Sequence, residues 1–432
     1  MVLLAAVLRL GAAMPGMAAP ETTFFRPDTP SYLQPALALL EEGRYVGAPG
    51  ETEPYTLRGP GYPAFLALVF GVLGKGLHLP VLLFCVLGAL TCVPVYRVGC
   101  WFGGTPGGTV AALLLALNLT SIAHAPFYLS DTLFALVTAW MLYFFARFYF
   151  RRRLPDLWLA VFLDAAGTLI RPTGLLWIVP CLFLVLVFQA LPVRQRLMGA
   201  AGCLLIFAAV LTPWMYRNSL AGGGFRLDTN VGNTLYYHNC AALVSVVTGI
   251  PRVTLRDRWV REAEAEFAAH PRRYPDEDAR TGYKLARARE LIGAHKWTYL
   301  RLHFNPSILL PDAPSFLELL GLTQSGRGTL DVLNRQGILA AVRHYFGDRS
   351  WLLLPLLPAL AVVGATYLGC LVHLGRWLRR REWFLGCFFL AFVAYYLVLP
   401  GPVVMPRYHL PALPLMCVMA GAVWASWMRR PG

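Results

Sequence analysis

Apolar runs of roughly 17–25 residues recur along this chain between short polar breaks, and each is long enough as a helix to cross a hydrocarbon core of ~30 Å. The pattern predicts spans at 2–20, 79–99, 107–125, 130–150, 155–170, 173–192, 197–215, 351–374, 383–400 and 408–428. This is the signature of an all-α polytopic membrane protein with about ten transmembrane helices. Segment 63–76 is apolar but only 14 residues long and ends in Gly74-Lys75-Gly76, which suits an interfacial or re-entrant helix better than a crossing. One break is long. Segment 216–350 opens on Gly222-Gly223-Gly224 and Asn-rich turns, then carries the Arg, Glu and Ala spacing of solvated helices near 255–269 and 280–302. His270-Pro271 should end the first of these. Three units follow: 1–215, with a polar outer loop at 21–62 and the interfacial segment 63–76; a partly helical segment 216–350; and C-terminal spans in 351–432. Residues 1–19 also fit a cleaved signal peptide, since Arg9 interrupts the run and small residues follow; the many later spans favour an uncleaved first helix.

Composition agrees with a membrane chain, at 57% hydrophobic and 14% charged residues and a mean hydropathy of +0.54. A net charge of +15 would suit a nucleic-acid partner, but the location of the arginines excludes one. They gather between apolar runs, as Arg151-Arg152-Arg153, Arg194 with Arg196, Arg376 with Arg379-Arg380-Arg381, and Arg429-Arg430. Such clusters mark cytoplasmic helix ends. With all of them inside, the alternation closes and places 216–350, His124–Asp131, Arg171, Arg217 and the loop around Arg407 on the outer face. If 63–76 does not cross, Asp28 and Arg58 join them. Eight of nine cysteines lie in apolar segments, only Cys240 in a polar loop, and there is neither a disulfide framework nor a CxxC pair.

The chemistry-bearing residues collect on that outer face. Arg58, Arg171, Arg217 and Arg407 stand beside proline or in short motifs, against the positive-inside trend, and guanidinium groups bind phosphate through paired charge-assisted bonds. The structural alternative is pairing with Asp28, Asp131 and Asp164. Asp28, in Phe25-Arg26-Pro27-Asp28-Thr29-Pro30-Ser31-Tyr32, reads either as the cap of a helix over Ser31–Glu42 or as a general base whose pKa partial desolvation raises toward working pH. Asp131, at the outer start of a span, has the same two readings. Asp164 lies deeper, as a functional carboxylate or as a partner for Arg171. His124, His238 and His409 match no local metal motif, so a metal site would need tertiary convergence. Tyr32, Tyr62, Tyr128, Trp214, Tyr236, Tyr237 and Tyr408 read as interfacial-belt aromatics or as sugar-stacking faces.

The ordered set FRPDTPSY, RGPGYPAFLAL, FYLSDTLFAL, LIRPTGLLW, TPWMYRN followed by Asp228–Asn233, and MPRYHLPALPL resembles the GT-C membrane glycosyltransferases, in particular the family-39-type and aminoarabinose-transferase-like enzymes related to protein O-mannosyltransferases. It extends from about residue 20 to 425. The resemblance implies a GT-C-type bundle and an inverting transfer of sugar from a polyprenyl-phosphate carrier to a lipid, glycan or protein acceptor on the extracytoplasmic side of a bacterial inner membrane. It assigns Asp28 and Asp131 to catalysis, Arg58, Arg171 and Arg407 to the donor phosphate, and Tyr62, Arg217, Tyr408 and His409 to substrate contact. No cofactor or metal is expected beside the lipid-linked donor. An irregular Gly47–Glu53 stretch departs from the family pattern, and the long C-terminal soluble domain of some relatives is not present in this sequence. The competing reading, a transporter or flippase for lipid-linked sugars, calls for internal repeats and midplane polar sites in both halves; here the polar residues sit on one side and no repeat is visible.

Overall fold

The computed structural model describes residues 1–322, 329, 332 and 336–428; the expected Arg429-Arg430 cluster lies outside them. A helix stands at each predicted span. The principal ones are α1 (Val2–Ala13), α2 (Pro30–Glu42), α3 (Gly61–Leu73), α4 (His78–Leu90), α5 (Cys92–Ala116), α6 (Leu119–His124), α7 (Asp131–Arg151), α8 (Leu154–Ile170), α9 (Ile178–Val187) and α10 (Val193–Leu220). After them come α11 (Arg252–Ala269), α12 (Glu277–Ala294), α13 (Lys296–Leu302), α14 (Ala313–Leu319), α15 (Leu353–Arg380), α16 (Trp383–Val398) and α17 (Leu413–Met428). Among the described residues there is no β-strand, only an isolated bridge between Val46 and Pro54. Four stretches, His78–Ala116, Asp131–Arg151, Val193–Leu220 and Leu353–Arg380, are long and apolar enough to cross a membrane. Val2–Ala18, Gly61–Leu73, Pro172–Val187, Trp383–Val398 and Leu413–Met428 are shorter apolar helices.

Two of the expected spans are joined tightly. The chain reverses within α5 at Gly104, whose φ of +64° is open to glycine and strained for other residues. The returning arm stops at Ala116, short of the expected 125, because Asn118 accepts a bond from the Ser121 N–H and starts α6. The buried Arg9 of α1 reinforces that stop by donating to the carbonyls of Leu115 and Ala116 at the helix end. The α5 hairpin packs most extensively on α17, through small residues such as Gly103 against Ala422.

Helix α3 is short. Gly61 at its start abuts Leu169 and Ile170 at the end of α8. Just past its other end Lys75 binds Glu41 of α2, and the Leu77 carbonyl accepts from the Tyr128 hydroxyl. Both termini therefore sit at the same end of the bundle, the end opposite Arg151–Arg153, Arg194–Arg196 and Arg376–Arg381. The polar segment is helical where its charge spacing predicts, and α11 stops at His270.

Candidate active site

Four separate chain breaks deliver Asp28, Asp131, Arg171 and Arg407 to one place, and Arg58 joins them from the loop before α3. Pro30 in the first turn starts α2 and leaves Asp28 in the turn before it. Asp131 and Arg151 occupy the first and last turns of α7, each matched to the helix dipole. Arg171 precedes Pro172, and the extended backbone this imposes ends α8 and turns the arginine out of the helix. Arg407 lies in the Pro406–His409 turn between α16 and α17.

Together they form one alternating chain of charge. Arg58 donates to Oδ1 of Asp28 at 3.0 Å and Arg407 to its Oδ2 at 2.9 Å. The other terminal nitrogen of Arg407 lies 3.9 Å from Oδ2 of Asp131, and Oδ1 of Asp131 accepts from Arg171. The order is Arg58–Asp28–Arg407–Asp131–Arg171. The arginines pair with carboxylates, as the structural alternative has it, and they also converge on one place. Three cations against two anions leave one surplus positive charge. Asp28 is the accessible member, its side chain 40% exposed against 3% for Asp131. The Tyr408 ring lies 5.5 Å from both Arg171 and Arg407, and Arg58 covers the Tyr32 ring at 4.7 Å.

The first loop is stitched in place. Tyr128 N–H donates to the Phe24 carbonyl, and the Thr29 hydroxyl donates to the Tyr128 carbonyl at 3.1 Å. These bonds hold Asp28 beside the start of α7. Arg26 reaches Glu318 of α14 at 3.2 Å and covers the Phe127 ring.

Several expectations change. Asp28 caps no helix, since its carboxylate turns to the arginines. Its pKa is not raised: burial pushes it up, but Arg407 and Arg58 outweigh burial and hold it below the ordinary carboxylate value. Asp164 does not pair with Arg171, which Asp131 takes. Tyr62 is buried against Tyr32, its ring facing the core. His409 is buried. Arg217 is occupied elsewhere, donating to the Tyr55 carbonyl at 2.7 Å and the Tyr45 carbonyl at 2.9 Å. Loop 45–58 is thereby fastened, and the Tyr45 hydroxyl in turn donates to the Arg58 and Gly59 carbonyls. Arg217→Ala should therefore loosen this loop, at a cost of about 1.5–3 kcal/mol per charged bond lost. Faster tryptic cleavage after the half-exposed Arg44 is the expected readout.

The polar segment adds groups with no assigned role in the sequence. Asp228 is buried within electrostatic reach of Arg58; burial raises its pKa to about 6, against the pull of Arg58 and the Val231 and Asn230 N–H groups. His238 lies near Asp28 and Arg58, its pKa lowered by burial and then by Arg256 and Arg252. Asp312 accepts from the Ser315 N–H and hydroxyl and lies 2.7 Å from Nε2 of His124. Asp228 stood within a quoted motif, but Asp312 gave no local signal, because its partner is 188 residues away. Among the described residues no three His, Cys, Asp or Glu side chains gather as metal ligands.

The Asp228 carboxyl carries a pH prediction. A carboxyl raised in the folded state adds stability below its unfolded value near 4, and that stability is lost as pH rises through about 6. Relative to Asp228→Asn, the wild type should lose about 2–3 kcal/mol between pH 4 and pH 8, read as a shrinking difference in denaturation midpoint.

Residues 57–216 match the family model described as dolichyl-phosphate-mannose-protein mannosyltransferase, a stretch that holds Arg58, Asp131 and Arg171. The oligosaccharyltransferase of Archaeoglobus fulgidus, solved in complex with zinc and sulfate, superposes with a TM-score of 0.51 at 12% identity over 98% of this chain and 48% of that one. The chain has the fold of the GT-C membrane glycosyltransferases. ArnT from Cupriavidus metallidurans, bound to undecaprenyl phosphate, gives a TM-score of 0.49 at 13% identity, covering 100% of this chain and 60% of that one. This chain thus spans about half to three-fifths of the length of these two structures. No curated protein matches it significantly.

Proposed function

We propose that this GT-C protein is an inverting glycosyltransferase that takes a sugar from a polyprenyl-phosphate donor and passes it to an acceptor on the extracytoplasmic side. The observation that carries the reading is Asp28, an accessible carboxylate held between two largely buried arginines. In this mechanism the surplus cation of the array accepts the donor phosphate. The acceptor oxygen attacks the anomeric carbon and its proton passes to the Asp28 carboxylate. The bond from that carbon to the phosphate oxygen breaks on the opposite face, and its electron pair leaves with the polyprenyl phosphate. Arg407, Arg171 and Arg58 stabilise the charge that develops there, as an oxyanion hole does. Because its pKa is depressed, Asp28 is a weak base, ionised throughout the neutral range. It accepts the proton late, as the acceptor oxygen becomes acidic in the transition state. For an acceptor that is already anionic, Asp28 orients the nucleophile instead. Asp131, enclosed by Arg171 and Arg407, serves here to aim those two cations.

The test is transfer in proteoliposomes from a panel of polyprenyl-phosphate sugars, with free polyprenyl phosphate as the measured product. Donor consumption that depends on the purified protein supports the reading. Movement of intact donor between leaflets without release of the carrier would replace it with the flippase.

A further inference from the structure

The region around α13 poses a problem if the polar segment stands in water. Trp297 and Leu300, spaced i and i+3 on α13, and Phe304, two residues past its end, are 73%, 51% and 67% exposed. Val246, Val247, Ile250 and Val253, on the chain that packs beside α13, are exposed as well. An apolar patch of this extent marks a surface that something covers.

Two contacts gauge its height. His303 Nδ1 donates to the Val398 carbonyl at 2.8 Å; Val398 ends α16, fifteen residues or about 22 Å of helix from Trp383 at the arginine-rich end. The Tyr367 hydroxyl donates to the Leu309 carbonyl at 2.6 Å; Tyr367 lies fourteen residues, about 21 Å, from Arg381. Any tilt of these helices lowers both heights. A hydrocarbon core of ~30 Å that begins at the arginine-rich ends reaches the level of residues 303–309. From Leu302 to Trp297 the helix climbs about 8 Å at most, which brings the indole toward the headgroup level where tryptophan concentrates. The exposed Lys296 and Arg301 flank the same face, long enough to reach the headgroups from it.

We propose that the Trp297–Leu300–Phe304 face binds lipid: it is embedded in the leaflet opposite the arginine-rich helix ends, with Phe304 and Leu300 among acyl chains and Trp297 at the boundary. The polar segment is thus anchored in the bilayer beside the site, on grounds independent of the transfer reaction. The partner is the acyl and headgroup surface of the membrane itself.

Nitroxide labels at Leu300→Cys and Phe304→Cys test this in a Cys387→Ser background, which removes the exposed native cysteine. Glu290→Cys on α12 is the water-exposed control. In phosphatidylethanolamine–phosphatidylglycerol vesicles, power saturation should give collisions with oxygen above those with a nickel chelate at 300 and 304, and the reverse at 290. Nickel-dominated collisions at 300 and 304 would place the face in water. Exclusion of both reagents would mean that protein, such as a second copy of the chain, covers it. Either result overturns the proposal. Trp297→Phe gives a check that needs no label: vesicles with brominated acyl chains should quench wild-type emission more than that of the variant, and equal quenching counts against the embedded face.

Discussion

Asp28→Asn should lower sugar transfer by about 10²–10⁴-fold, the range a positioned general base supplies, while binding of polyprenyl phosphate stays intact or tightens. The two effects separate because Asp28 stands in opposition to the phosphate. Its carboxylate occupies Arg58 at 3.0 Å and Arg407 at 2.9 Å. The amide keeps the shape but returns about one unit of positive charge to those guanidinium groups, which favours an anion. Single-turnover release of carrier, with lipid-phosphate binding measured on the same preparation, reads both. Loss of rate with unchanged or tighter binding supports a catalytic carboxylate. Parallel loss of rate and binding would make Asp28 a structural tether for the arginines. Full activity in the variant would remove it from the reaction and send the search for a base to Asp131 or Asp228.

Arg407→Ala should cost more than any other single change in the array, because Arg407 alone faces both carboxylates. Removing it leaves Asp131 nearly sealed from water, with Arg171 as its remaining close cation. Breaking one partner out of a buried ion pair costs about 3–5 kcal/mol. The lower end applies here because Arg171 stays. The same deletion removes a cation from the leaving phosphate, so transfer should fall together with thermal stability in detergent. Arg407→Lys separates the two effects. An ammonium keeps the charge but cannot span Asp28 and Asp131 as a planar fork does. Stability should largely return while transfer stays low. Recovery of transfer by lysine would show that charge alone, without the bridging geometry, is what the reaction uses.

Much of the fold was legible in the apolar runs, for a simple reason. A helix in lipid must satisfy every backbone group internally, so its length and position are written locally. The turn residues were equally local: Pro30, Pro172 and Pro406 each set a helix boundary that presents a charged neighbour. Asp28, Asp131, Arg58, Arg171 and Arg407 could therefore be named as a set from their neighbourhoods. Their order could not. Asp28 and Arg407 are 379 residues apart, and only packing of the first loop against the turn before α17 brings them to 2.9 Å. The same holds for Arg217, whose short motif looked like the others until the Tyr45 and Tyr55 carbonyls claimed it.

The depressed pKa of Asp28 is the clearest case of tertiary control. Its neighbourhood suggested desolvation, which raises a carboxyl pKa, and burial does act that way. Two cations from distant loops decide the sign. Sequence by itself determined the membrane class, the helix positions, the short apolar α3 and the list of charged residues, because each depends on interactions within a turn or two of chain. Which carboxylate meets which arginine, which residue stays open to a substrate, and where the apolar face of α13 comes to rest were decided by tertiary structure, because charge and burial act through space and take no account of separation along the chain.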